Sequence, residues 1–562
     1  MLEENSIEAS PGDVADAAVA TPLGAPRSRS ALFRPVLLAL RRALTPPPGS
    51  AWRDPVIWVI AVATFGAYFV ISLFRLLQMA TSSLDLGIFT AFMKQLSQLH
   101  SPVDDVLGSG YNFEGNHFEI AVGVIAPFFR LFPTPATLLF CQALFAAVSV
   151  FPVASAARSL TGRGTGRLIG FAYACSWGLQ QMIAFDFHEV AVAVPLLAFS
   201  VSALVRRRPG AAIAWAMPLV FVKEDQGFTV AAIGALLAAT AVFSRLRPGP
   251  EALPAALTQP GRVRLRLSGS VLPGDGLRDA DYNALWGGAF LAGWGLFWTV
   301  LAITVIIPRF NPLHQYYFWD VGGAVGSGKP LSASTLLVQA GGNWPVKGPT
   351  VALLLLPTAF AALGSPVVLL AVPSLLLRFI STNPSYWGTG WHYDATVMPI
   401  LFIAAAEAIG RWRRATARAA PSAGNDGLLG LVRAAQTGLA RHGGAMMAAI
   451  AVALAFQFPL SGLWNSATYR VDDSRDAAAS AAMAVVPDGA TVTATVDLVA
   501  PLAARTDTFY IGNPGNPVTQ YIVFDGSSPP VTDVPGLIAG QYRGDGYRQV
   551  FESSGIYVFR RG

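Results

Sequence analysis

The residues of this 562-residue chain that could carry chemistry stand in short, dense clusters. Asp85 lies in Ser83-Leu84-Asp85-Leu86-Gly87-Ile88-Phe89, and His117 and Glu119 close Asn112-Phe113-Glu114-Gly115-Asn116-His117-Phe118-Glu119. Asp186-Phe187-His188-Glu189 offers three ionisable side chains over little more than one turn. Lys223-Glu224-Asp225 and Trp391-His392-Tyr393-Asp394 complete the set, with His100 and His314 in the neighbouring polar stretches. A carboxylate such as Asp85 can take a proton from a hydroxyl. A lysine beside two acids, here Lys223 with Glu224 and Asp225, can clamp a phosphate, and His188 can assist. Asp186 and Asp225 are the ligands expected of a divalent cation, Mg or Mn. Aromatic faces at Trp391 and Tyr393, beside His392, suit a sugar ring.

Each cluster also has a plainer explanation. Ser83 or Asp85 could cap a helix, and Glu189 could simply favour a helix N-terminus. Glu114 and Asn116 suit a hydrated loop. Lys223, Glu224 and Asp225 could pair among themselves in a hairpin turn, and Trp391 could mark a membrane interface. Against these stands the cost of acids and histidines at the ends of apolar helices.

Those helices are the elements that must position the clusters. Hydrophobic residues make up 53% of the chain and charged residues only 13%, which excludes an ordinary soluble globule. Apolar stretches near 54–76, 134–157, 166–185, 189–205, 210–222, 226–243, 285–307, 349–363, 364–380, 394–410 and 443–464 predict about 11 transmembrane helices. Arg158, Arg163 and Arg167, then Arg206-Arg207-Arg208, then the arginines of 245–278 and 411–441, fall in alternate loops. The positive-inside rule places them in the cytoplasm together with the amino terminus, and puts the carboxyl terminus and all the clusters outside. The net charge of +6 then reflects topology and anionic lipid, with no nucleic-acid partner.

Residues 1–50 form an Ala/Pro/Ser-rich tail expected to be disordered, 51–464 the membrane domain, and 465–562 a small extracytoplasmic α/β domain. The first span serves as its own insertion signal. In the last domain 490–495, 508–511, 521–524 and 555–560 read as strands, and 475–486 and 497–504 as helices. The segment after Asp85 carries Leu86, Phe89, Phe92 and Met93 at helical spacing, which predicts a helix lying along the interface. Cys141 and Cys175 fall in spans and read as packing residues. Residues 323–329 fit most of a nucleotide-phosphate loop, but Pro330 stands where the Mg²⁺-binding hydroxyl belongs.

Ser83-Leu84-Asp85-Leu86-Gly87-Ile88-Phe89, Gly115-Asn116-His117-Phe118-Glu119, Phe185-Asp186-Phe187-His188, Lys223-Glu224-Asp225 and His392-Tyr393 resemble, in that order, domain of unknown function 2079, a multi-pass membrane family. That family is similar in architecture to the GT-C glycosyltransferases, which take sugars from polyprenyl-phosphate donors at the outer membrane face. The resemblance implies a catalytic base at Asp85, which follows the first span as the GT-C acid does. It implies a donor and acceptor site built from His117, Glu119, His188, Lys223, Glu224, Trp391, His392 and Tyr393. The partners would be the lipid-linked sugar, an envelope glycan or glycolipid acceptor, and membrane lipids. The chain departs from the commonest GT-C pattern because no D-x-D accompanies Asp85. Asp104-Asp105 is the adjacent acid pair of that loop. A transporter or lipid flippase, or a non-enzymatic envelope assembly protein, is the competing reading. A transporter would place its polar residues near the bilayer midplane.

Overall fold

The computed structural model describes residues 50–81, 83–246, 279–316, 333–418, 427–471, 473–527 and 529–562. The tail before residue 50, the arginines of 247–278 and the 323–329 loop lie outside the described residues.

The first long helix, Pro55–Leu77, shows how the sequence builds the bundle. Asp54 caps it by accepting the Val56 N–H at 3.2 Å, and Pro55 sits in the first turn, where its missing N–H costs nothing. Its 23 residues rise roughly 34 Å, enough to cross the bilayer hydrocarbon. Ile57, Ala61, Thr64, Tyr68 and Ile71 face the protein, while Val59 and Val62 are exposed on the side left for lipid. Arg158, Arg163 and Arg167 converge on Asp54 at 2.8–3.2 Å, so one end of the bundle is tied by arginines. Asp85 follows the opposite end of this helix.

Among the described residues six helices are long and apolar enough to span: Pro55–Leu77, Pro135–Thr161, Gln226–Phe243, Ala284–Phe310, His392–Arg418 and Leu428–Ala455. Four shorter apolar helices, Ile120–Leu131, Val190–Val205, Pro209–Phe221 and Pro366–Ile380, join them. The eleven expected stretches are therefore not all continuous helices of spanning length. The 166–185 stretch breaks at Ser176, whose backbone is extended; Gln180 repairs the break by donating to the Cys175 carbonyl at 2.7 Å. The last span begins earlier than expected, at Leu428.

Small residues set the closest helix contact. On Gln226–Leu246, Gly227 and Gly234 face Gly295 and Gly288 of Asp279–Leu301. A Cβ on Gly227 would lie 2.3 Å from the Gly295 carbonyl oxygen, and one on Gly234 2.5 Å from that of Gly288. The backbones touch because neither helix carries a side chain there.

The helix Asp85–Ser97 does not lie open on an outer face of the protein. Residues Leu86 through Met93 are all buried, because Ile120–Leu131 covers one side and the carboxyl-terminal domain another. The exposed apolar stripe belongs to the covering segment instead: Ile120, Val124, Phe128, Leu131 and Phe132 face outward, and Val122, Ile125 and Phe129 inward.

Beyond the bundle, the carboxyl-terminal region folds into a five-stranded mixed sheet, order β2-β1-β3-β5-β4. β1 (Thr491–Ala494) pairs in parallel with β2 (Asp507–Tyr510) and β3 (Tyr521–Asp525); β4 (Tyr547–Ser553) and β5 (Ile556–Arg561) complete it antiparallel. The helices Asp473–Val485 and Val496–Ala503 fall where the sequence places them; β4 and the helix Val534–Gln541 are additional.

Candidate functional site

Asp85 opens its helix, but Ser83 does the local capping: the Ser83 hydroxyl accepts the Asp85 N–H at 3.3 Å. The Asp85 carboxylate is thus left for other partners, and Oδ2 lies 3.4 Å from His188 Nε2. Asp85 is 38% exposed while His188 is only 4% exposed behind it. Burial works against the Asp85 charge, yet His188, Ser83 and Lys223 outweigh it and hold the carboxyl below its ordinary range.

His188 sits on a tight turn in which Asp186 adopts a left-handed backbone, φ +60°. Gln142, from the central helix Pro135–Thr161, fixes that turn. Its amide donates to the Asp186 carbonyl at 2.5 Å, and its oxygen accepts the His188 N–H at 3.2 Å. The His188 ring stacks on His392 with centroids 3.7 Å apart, and Phe185 stacks on both rings. Trp391 meets Phe185 edge-on, and Tyr393 lies 4.1 Å from His392. Two chain-distant segments, 185–188 and 391–393, are thereby packed into one aromatic wall.

A charged group lines the same space. Lys223 Nζ is 2.7 Å from Glu189 and 3.5 Å from Glu119. Lys223 is therefore bound by acids from other segments, not by its own neighbours. Glu224 turns away to accept from Tyr316 Oη and to meet His117 Nδ1, each at 2.8 Å, and accepts the Phe118 N–H at 3.1 Å. One ammonium cannot offset every buried carboxylate nearby. Burial and the charges of Glu189 and Glu224 push the Glu119 carboxyl well up. Burial opposes the Glu189 charge, but Lys223 keeps that group down. Glu224 is likewise opposed by burial and is drawn down to about 2 by His117 and Lys223. Asp225 is pushed up to about 6, chiefly by burial.

These groups line a single cavity of about 470 Å³: Asp85, His117, Glu119, His188, Glu189, Lys223, Glu224, Asp225, Trp391, His392 and Tyr393 all reach it. Sequence reasoning missed several of its wall residues, Arg378, Tyr386 and Tyr316 among them. Arg378, in the helix Val372–Ile380, is 2.6 Å from Asp394 and donates to the Tyr386 and Gly388 carbonyls. The signal for Arg378 was present, since a lone arginine ends an otherwise apolar helix.

Other expected residues lie elsewhere. His100 and His314 are exposed and outside the cavity. Asp104 is fully buried and accepts the Val106 N–H, and Asp105 accepts that of Gly110, so this acid pair shapes its loop. Asp186 accepts the Ser83 N–H at 3.3 Å and does not line the cavity, whereas Asp225 does. Among the described residues no group of three or more His, Cys, Asp or Glu is arranged to hold a metal ion.

Residues 75–529 match the family described as "Predicted membrane protein (DUF2079)". No curated protein sequence matches the chain. Among solved structures, ArnT from Cupriavidus metallidurans bound to undecaprenyl phosphate aligns at 13% identity and TM-score 0.49, covering 89% of this chain and 97% of that one. The same protein in the apo state aligns at 12% identity and TM-score 0.45, covering 94% and 98%.

Proposed function

The chain belongs to the DUF2079 family of predicted membrane proteins, and we propose that it is an integral-membrane glycosyltransferase. It moves a sugar from a polyprenyl-phosphate donor to a cell-envelope glycan or glycolipid on the outer face. The observation that carries this reading is the Asp85–His188 pair, 3.4 Å apart, with Asp85 exposed to a cavity otherwise walled by rings and buried charges.

Asp85 stays ionised and His188 orients it, as a general base requires. The acceptor hydroxyl gives its proton to Asp85 while its oxygen bonds to the anomeric carbon. The bond from that carbon to the phosphate oxygen breaks, and the electron pair leaves with the polyprenyl phosphate. Lys223 and Arg378 supply positive charge to the leaving phosphate. Trp391, His392 and Tyr393 flank the sugar. A single displacement inverts the anomeric centre.

The test is sugar transfer from radiolabelled polyprenyl-phosphate mannose, glucose and arabinose by the full chain in nanodiscs. Turnover that disappears in Asp85→Asn is expected. Donor that neither binds nor turns over would sink the proposal.

A further inference from the structure

The helix that carries Asp85 is held from above by the carboxyl-terminal domain, and the contacts are unusually tight. Gly87, one turn-third beyond Asp85's neighbour Leu86, lies against the helix Val496–Ala503. A Cβ at Gly87 would stand 2.5 Å from Val499 Cγ1 and 3.2 Å from Val499 Cβ. A side chain there requires the Val499 side chain or one of the two helices to shift. Further along the same helix, Lys94 Nζ donates to the Thr506 carbonyl at 2.6 Å and to Asp507 Oδ1 at 3.0 Å, reaching the start of β2. A third tie reaches the loop next to the cavity: Asn513 Nδ2 donates to the Val106 carbonyl at 2.7 Å, and Leu107 beside it lines the cavity. At the root of the segment, Arg475 Nη1 donates to the Gln78 carbonyl while its Nη2 holds both Asp497 and Asp525.

We infer that the carboxyl-terminal domain is the positioning frame for Asp85, with Gly87 and Lys94 as the positioning residues through which it acts. This rests on the transferase reading for its kinetic readout but not for its structural one. The ties fall on both sides of the cavity segment, before Asp85 at Gln78 and after it at Gly87, Lys94 and Val106. They leave the Asp85 carboxylate itself untouched. A displaced base loses rate steeply, because a shift near 1 Å from attack geometry costs about a hundredfold. Substrate affinity, set by the other walls, has no reason to follow.

The experiment uses the full chain in nanodiscs with Gly87→Ala, Val499→Ala, the two combined, and Lys94→Met. Each is measured for kcat and donor KM, and for the distance between spin labels at Gln98→Cys and Val518→Cys. Gly87→Ala should lower kcat by about ten- to a hundredfold with KM changed less than about twofold. Adding Val499→Ala, which removes the clashing Cγ1, should restore most of the rate. Lys94→Met should lower kcat and broaden the label distances. Unrestored rate in the double variant, or wild-type rate in Lys94→Met, would overturn the inference. If the wild-type chain transfers no sugar, the transferase reading fails and the label distances decide alone: broadening in Lys94→Met supports the frame, and a wild-type distribution overturns it.

Discussion

Glu224 Oε1 meets His117 Nδ1 at 2.8 Å, joining two segments more than a hundred residues apart at a largely buried point of the cavity wall. Burial alone would raise the Glu224 carboxyl, but His117 and Lys223 hold it at about 2 against an ordinary 4.5. A displaced acid of this sign stabilises the fold above the unfolded value and loses that stabilisation as pH falls toward the folded one. The shift corresponds to roughly 3 kcal/mol. Thermal unfolding in detergent should therefore show wild-type stability declining between about pH 4.5 and pH 2. Glu224→Gln should be less stable at pH 7, with the gap closing on acidification. A gap constant with pH would show that the ion pair is not the source.

Asp85→Asn should reduce kcat by roughly 10²- to 10⁴-fold, the range for loss of a general base, with donor binding retained. Asparagine keeps the size of the side chain and the contact to His188, so folding should be unaffected. His188→Gln keeps an N–H for Asp85 and should lose less rate than Asp85→Asn. The reverse order, read from single-turnover rates, would move the base role away from Asp85.

The outward face of Ile120–Leu131 should lie in lipid. Phe128→Trp places an indole on the exposed stripe, and Val122→Trp would bury one on the inner face. Brominated lipids in nanodiscs should quench Phe128→Trp fluorescence above the background of the native tryptophans. Equal emission in brominated and ordinary lipid would place the stripe in water.

Much of the cavity could be read from the chain because its polar clusters interrupt otherwise apolar helices, where a charge has few other reasons to stand. Asp85, His117, Glu119, His188, Lys223, Glu224, Asp225 and the 391–393 run all reach one space. What could not be read was the pairing. Lys223 stands beside two acids in sequence, yet Glu189 and Glu119 hold it, because adjacent residues on a turn point apart while distant segments converge. The Asp186 backbone is left-handed and its carboxylate accepts the Ser83 N–H, neither of which the chain alone announced. Arg378 carried a signal, a lone arginine in an apolar run, but nothing in the chain marked Asp394 as its partner. In the sheet, β4 escaped notice because it is an edge strand with polar residues on both faces, so no alternation marks it.

The ion pair of Lys223 with Glu189 at 2.7 Å supports the last prediction. Both side chains are largely buried, at 19% and 2% exposure, so each charge depends on the other for its stability in a medium poor in water. Lys223→Met removes the only ammonium from a group containing Glu119, Glu189, Glu224 and Asp225 among the cavity-lining residues. Leaving a buried charge without its partner costs about 3–5 kcal/mol, whereas removing both members of a pair costs far less. Lys223→Met should therefore be strongly destabilised, and adding Glu189→Gln should recover much of the loss. Protonation offers a second route to the same relief. With Lys223 gone, the acids should take up protons more readily, so the single variant should regain stability as pH falls from 8 toward 5. Thermal unfolding of the two variants across that range measures both effects. A double variant no more stable than Lys223→Met, with no gain at low pH, would mean that Lys223 contributes packing and not charge.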